Sequence, residues 1–425
     1  MKKKIYFIVL AILVIINLFN IPGSVEEANN IDTGDTAWML VSAALVLLMT
    51  PGLAFFYGGM VNKKNIISTM LQSFVALGVV SILWVTVGFS LAFGDSIGGI
   101  IGDPTTYFNF NGVSLSPNPK FSETIPFLLF ALFQLKFAII TPALITGSFA
   151  ERVRFRSYIL FMVFFVLFIY TPLAHMTWHP DGLLRNWDVL DFAGGTVVHM
   201  SAGFAALAGA VYLGKRRKNV HSPSQVPYII LGTALLWFGW FGFNAGSALG
   251  ANLDAVSAFA NTNFASAAAM IAWIFFDMFN KKKMSATGAC IGAVVGLVAI
   301  TPAAGFVTIG QSIFIGFISA VISWYAVQIK NKSGLDDTLD VFPCHGIGGV
   351  SGMILTAVFA KDVGLVYGET TVFTHHMIAL VCVSVFTFFG SLLLYKIVDL
   401  ITPIRVIEEK ELEGLDLSQH GESVE

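Results

Sequence analysis

Residues 66–93 read IISTMLQSFVALGVVSILWVTVGFSLAF, a run without a single Asp, Glu, Lys or Arg. As a helix it is long enough to cross the roughly 30 Å hydrocarbon layer of a bilayer. Comparable apolar runs recur along most of the 425-residue chain, which is 56% hydrophobic and only 12% charged, against about 25% charged in a soluble domain. The sequence therefore reads as an all-α polytopic membrane protein, and a disordered or nucleic-acid-binding chain is excluded. Aromatic residues make up 13%, with 39 Phe, which suits a lipid-facing surface or an apolar conduit better than a soluble exterior. The net charge of −2 points to no polyanionic partner. Cys290, Cys344 and Cys382 sit in apolar stretches without CxxC spacing and read as small packing residues, so no disulfide framework, metal site or cofactor is expected. With no HExxH, P-loop or nucleophile-elbow motif, an enzyme is not expected either.

Working outward, apolar windows bounded by charges and turn residues give eleven candidate spans, at about 37–61, 66–93, 125–149, 156–178, 193–213, 227–250, 258–280, 285–306, 309–330, 345–360 and 375–399; the tenth looks short. Cytoplasmic loops collect Lys and Arg. With the mature N-terminus outside, seventeen fall inside, Arg152, Arg216, Lys218, Lys281 and Arg405 among them, and only Lys120, Arg185 and Lys361 outside. The N-terminus is thus expected outside and the C-terminus in the cytoplasm. Ten spans divide into two sets of five. A half with an odd number of spans faces opposite to its copy, so related halves form an inverted repeat around a site at the bilayer midplane, with the last helix outside it. The fifth span carries His199 and the tenth begins at His345. Gly194, Gly195, Ser201 and Gly203 in one, and Gly346, Gly348, Gly349 and Gly352 in the other, allow close helix approach.

The two ends differ from the body. Lys2, Lys3 and Lys4 precede an apolar run from Ile5 to Leu18, then Pro22-Gly23-Ser24 and acidic Glu26 and Glu27; residues 1–23 read as a secretory signal peptide, an uncleaved extra span being the alternative. Residues 24–401 form the eleven-span domain. Residues 402–425, with Glu408, Glu409, Glu411 and Glu413 around Lys410, read as a solvated cytoplasmic tail in which only Gly414-Leu415-Asp416-Leu417 offers an apolar contact.

Four segments carry chemistry. In Asp191-Phe192-Ala193-Gly194-Gly195-Thr196-Val197-Val198-His199 the histidine lies eight residues, about 12 Å, deeper than the aspartate. A titratable residue at that depth is a functional candidate, against the plainer reading of a satisfied interhelical hydrogen bond. Two adjoining imidazoles, His199 and His345, can share one proton and leave outer nitrogens for a small polar guest. Asp191 is suited to cap its helix and bias a nearby mouth toward cations, a supporting role. Phe243 and Ser247, at i and i+4 in Trp240-Phe241-Gly242-Phe243-Asn244-Ala245-Gly246-Ser247, share a helix face; ring and hydroxyl together can hold an ammonium ion, although aromatics in membrane helices also serve as packing. Phe133 and Phe137 repeat that spacing in Phe133-Gln134-Leu135-Lys136-Phe137. In His175-Met176-Thr177-Trp178 the tryptophan is an interfacial anchor or a cation-binding wall.

With these segments in place, the sequence resembles the ammonium transporter (Amt/MEP/Rh) family, on the bacterial Amt side, from about Asp35 to the tail. Further matching pieces are Phe56-Tyr57-Gly58-Gly59, Ile140-Thr141-Pro142-Ala143-Leu144-Ile145, Thr301-Pro302-Ala303 and Asp340-Val341-Phe342-Pro343-Cys344-His345-Gly346. The resemblance implies two inverted five-helix halves plus a last helix, in a homotrimer with one pore per subunit in the cytoplasmic (inner) membrane. It implies ammonium uptake, methylammonium as an alternative substrate, and an external recruitment site of Trp178, Ser247, Phe133 and Phe137 supported by Asp191. Phe137 and Phe243 match the gate pair, and His199 and His345 the twin histidines. Gly414-Leu415-Asp416 and His420-Gly421-Glu422 resemble a regulatory tail that receives a PII-type signal protein. A passive ammonia channel and an ammonium sensor signalling through its tail are the alternatives. Lys136, uncharged in many relatives, is expected to face an interface or a polar neighbour rather than the pore.

Overall fold

The computed structural model describes residues 2–21, 23, 30–217, 223–280 and 282–424. Pro22, Ser24, Glu26, Glu27, Lys218 and Lys281 lie outside the described residues, as do the side chains of Lys2, Lys3 and Lys4. An N-terminal helix, Lys2–Ile16, is tied at its end to the domain: Asn17 Nδ2 donates to Thr86 Oγ1 (3.3 Å), and Asn109 Nδ2 to the Ile16 carbonyl (2.9 Å).

Eleven apolar helices follow: α1 (Thr33–Met60), α2 (Lys63–Phe93), α3 (Phe127–Ser148), α4 (Phe155–Trp178), α5 (Gly195–Leu213), α6 (Val226–Ala248), α7 (Leu253–Phe279), α8 (Ala286–Ile300), α9 (Ile309–Ser333), α10 (Phe342–Phe359) and α11 (Thr371–Ile401). All but α8 are long and apolar enough to cross a membrane; α8 has 15 residues. The eighth candidate span was expected to run on to 306, but Pro302 disfavours helix at the residue before it, and 301–306 instead form turns, buried over 301–304. Irregular backbone at membrane depth is tolerated where protein encloses it. The expected short tenth span is α10, at 18 residues. Phe238, Val381 and Phe389 point outward and are more than half exposed, as suits contact with hydrocarbon rather than water.

Helices α5 and α10 are built alike. Each opens with a six-residue π-helical stretch, Gly195–Met200 and Phe342–Ile347, before becoming a regular helix, and each stretch holds one of the two histidines; such π turns cluster at functional sites. The pair meets at Gly203 and Gly346, where a Cβ on Gly203 would lie 2.2 Å from the Gly346 backbone. No side chain fits between them. Helices α1 and α6 approach as closely, a Cβ on Gly232 falling 2.3 Å from the Phe56 nitrogen.

The tail is docked rather than solvated along its length. Leu415 and Asp416 are buried. Asp416 accepts from the backbone N–H of Ile67 (3.0 Å) and Ser68 (2.7 Å), and Leu415 N donates to Asn65 Oδ1 (2.8 Å). Glu411, pictured as solvated from its charge run, is paired with Arg405 at 2.9 Å. Cys290 and Cys344 are buried as expected of packing residues, whereas Cys382 is exposed on α11; all three are free thiols.

Candidate functional site

The site runs inward from the end of the bundle opposite the tail. There a recess of about 440 Å³ is walled by Gln134, Phe137, Trp178, Asp191 and Ser247, among others. Trp178 stands edge-on to Phe137, centroids 5.8 Å apart, and its indole Nε1–H donates to the Asp191 carbonyl (3.1 Å), which fixes the ring. Ser247 donates its hydroxyl proton to the Phe243 carbonyl (2.8 Å), leaving its oxygen lone pairs to accept from a guest. Phe133 does not wall the recess: it is buried behind Phe137, edge-on at 4.9 Å.

Asp191 is committed to its helix. Its carboxylate accepts from the N–H groups of Gly194 (2.7 Å), Gly195 (2.6 Å) and Thr196 (2.7 Å) and from the Thr196 hydroxyl. Gly194 takes φ 123° to permit this turn, a conformation open to glycine. The capping role read from the sequence is therefore the observed one: Asp191 forms part of the recess wall while its carboxylate oxygens are engaged by the helix start. His376 on α11 holds the segment before it, its Nε2 accepting from Leu190 N at 2.8 Å.

Beneath the recess, Phe137 and Phe243 lie 4.2 Å apart, tilted by 34°. Phe137 faces the recess. Phe243 lines an enclosed apolar chamber together with Leu53, Ile140, Val198, His199 and His345. The two histidines meet there, Nδ1 to Nδ1 at 3.3 Å. A second compartment, lined by Tyr57, Met60, Leu339 and Cys344, shares His345 with the first and leads on toward the tail end.

Thr301 sets the tautomers of this pair. Its hydroxyl donates to the Leu297 carbonyl (2.8 Å) and accepts from Trp240 Nε1–H (2.9 Å), while His199 Nε2 lies at 3.3 Å. With the hydroxyl proton spent, His199 must donate from Nε2, so its Nδ1 is an acceptor. His345 therefore donates from Nδ1, and its Nε2 offers a lone pair. In the sequence, Thr301 stands out only as part of Thr301-Pro302-Ala303, which assigns it no role.

Asp337 was also missed. It precedes His345 by eight residues, as Asp191 precedes His199, and it too caps a helix start, accepting from Val341 N (3.2 Å) and Phe342 N (2.7 Å). The repeated Asp-x7-His spacing was the signal available. Burial, with Asp340 nearby, pushes the Asp337 carboxyl up to about 6. Lys136 is half-buried, lines neither the recess nor the chamber, and has no hydrogen bond or ion pair among the described residues; the expected polar neighbour is not seen. No group of three or more His, Cys, Asp or Glu suited to a metal occurs among the described residues.

The profile of the Ammonium Transporter Family matches residues 37–425. An ammonium transporter of Bacillus subtilis (strain 168) is 47% identical, the alignment covering 92% of this chain and 98% of that protein, and one of Aquifex aeolicus is 45% identical over 96% and 97%. Among solved structures, Saccharomyces cerevisiae Mep2 superposes with a TM-score of 0.86 at 30% identity, covering 92% of this chain and 94% of that one. A structure described as a sensor Amt protein does so at 0.84 and 30%, over 91% and 98%.

Proposed function

Because this chain belongs to the ammonium transporter family, we propose that it takes up ammonium through the site just described, recruiting the ion in the recess, deprotonating it and passing ammonia along the twin-histidine chamber. The recess then faces the outside of the cytoplasmic membrane and the tail faces the cytoplasm, as the distribution of Lys and Arg favours. Trp178 and Phe137 wall the recess with rings whose faces attract a cation, and the Ser247 oxygen accepts one of its N–H bonds. Ammonium and potassium are alike in charge and size, but only ammonium has a proton to surrender. An apolar passage beyond the Phe137–Phe243 pair disfavours any charged form, at about 1.4 kcal/mol for each unit by which the guest's pKa falls. Potassium has no neutral form.

The observation that carries this reading is the direct imidazole contact in a chamber otherwise lined by apolar side chains. With the two tautomers exchanged, a proton accepted at His199 Nε2 passes the shared Nδ1 proton to His345, which releases its Nε2 proton toward the tail-end compartment. Charge then moves inward beside the neutral nitrogen, and the resting tautomers run the same relay outward. The test is charge moved per radiolabelled methylammonium taken up by proteoliposomes, wild type against His199→Leu and His345→Leu. A transient current in the wild type, with loss of transport or of potassium exclusion in the variants, is expected; wild-type rate and selectivity in both variants would reject the relay. Uptake without current would favour a passive ammonia channel instead.

The likeness to a sensor Amt protein motivates a second reading, in which the tail reports occupancy to a partner. Deleting residues 402–425 spares uptake if transport is primary. A homotrimer, a PII-type signal protein at the tail end, and removal of residues 1–23 as a leader complete the proposal. Mass measurement of the mature protein in native and denaturing conditions tests the first and last.

A further inference from the structure

At the tail end several cations are satisfied. Arg216 pairs with Glu151 and Asp336 at 2.9 Å each, Arg405 with Glu411 at 2.9 Å, and Arg152 is buried against the Asp336 carbonyl and the Thr338 hydroxyl. Three are not. Arg154, Arg156 and Lys410 make no ion pair among the described residues, and all three line one recess of about 530 Å³ between the start of α4 and the tail. Among the described residues, no carboxylate lines it. Phe155 and Ile407 contribute apolar wall, and Ser418 adds a hydroxyl. Arg154 spends only Nε, on the Arg405 carbonyl (3.0 Å), and Lys410 makes one long contact, 3.5 Å, to the Ser418 carbonyl. Their remaining N–H donors are free for a ligand.

We propose that this recess binds a phosphate-bearing anion. Guanidinium groups match the paired oxygens of a phosphate, and three uncompensated cations around a cavity favour an anion over a neutral guest. The chemistry is shared by inorganic phosphate and by the phosphodiester of an anionic lipid headgroup, which the position of the recess, where α4 leaves the apolar layer, would bring within reach. Either occupant touches both the α3–α4 connection, through Arg154 and Arg156, and the tail, through Lys410 and Ser418. Occupancy therefore pins the tail to the body of the protein. The inference does not rest on the transport reading.

The test uses the full-length protein in phosphatidylcholine nanodiscs, with added inorganic phosphate in one arm, phosphatidylglycerol in a second and matched chloride as control. Hydrogen exchange of the backbone amides of 404–424 is the readout. Protection is expected to rise with at least one probe. A response to phosphate assigns a soluble ligand, and a response to phosphatidylglycerol alone assigns a headgroup. The doubly substituted R156Q/K410Q protein is expected to need about thirty-fold more of the effective probe, about 2 kcal/mol for two cations at about 1 kcal/mol each. Both side chains are exposed and unpaired, so the variant retains its fold, which its melting temperature checks. No protection in the wild type by either probe, or an unchanged response in the variant, overturns the proposal.

Discussion

At the residue scale, one hydroxyl decides how the histidines are arranged. Thr301→Val keeps the shape of the side chain but leaves Trp240 Nε1–H and His199 Nε2–H without their acceptor, and a buried orphaned donor costs about 1–3 kcal/mol. We expect a lower melting temperature together with a fall in methylammonium uptake of about tenfold or more; unchanged values for both would show that Thr301 does not set the tautomer. A second expectation concerns His179. It is fully buried, stacked on His175 with centroids 4.3 Å apart, and its Nε2 has no partner among the described residues. Burial first, then His175 and Lys120, hold its imidazole down to about 4, against the opposing pull of Asp181. The folded protein keeps the ring neutral where the unfolded chain protonates it. The stability it contributes is complete above about pH 6.5 and drains as pH falls toward 4, at up to about 1.4 kcal/mol per pH unit. His179→Gln should flatten that part of the stability profile.

At the element scale, the contact of α5 with α10 fixes the site. Gly203→Ala puts a methyl into the Gly346 backbone, which cannot turn aside as a flexible side chain would, so the helices must part and the Nδ1–Nδ1 contact lengthens. Transport is expected to drop sharply, with a loss of stability of about 1–3 kcal/mol, measurable as uptake and denaturation midpoint. Helix positions were legible in the sequence because hydrocarbon thickness imposes a length on every apolar run. The aromatic pairs at i and i+4 were legible because helical spacing alone puts them together. The end of α8 was not: Pro302 was noticed only as part of a family motif. The partnership of His199 with Thr301 was equally hidden, since those residues are 102 positions apart and meet only through tertiary packing. The second aspartate could have been found from its spacing to His345, but a repeat that shares so few identities hides a two-residue echo.

At the scale of the whole molecule, the tail is part of the folded body. Asp416 caps the start of α2 from more than three hundred residues away, and Lys64 Nζ reaches back to the Leu412 carbonyl. The sequence alone favoured a solvated end because its charge density says nothing about which partners are already in place. Asp416→Ala removes two hydrogen bonds of the capping kind, worth about 1–2 kcal/mol, and trypsin should then cut at Lys410 several-fold faster while the eleven-helix body stays resistant. Equal cleavage rates would mean that other contacts hold the tail unaided.

The pairing of Asp191 with His199 and of Asp337 with His345, each eight residues apart, has a thermodynamic consequence. On the transport reading proposed above, traffic in the two directions passes the same central pair of histidines. The Trp178–Ser247 recess lies at one mouth only, and a binding site at one entrance changes how soon the flux saturates there without shifting where it comes to rest. If the site works as proposed, net accumulation follows the concentration and voltage differences across the bilayer, and reversing those reverses the flow through the same histidines.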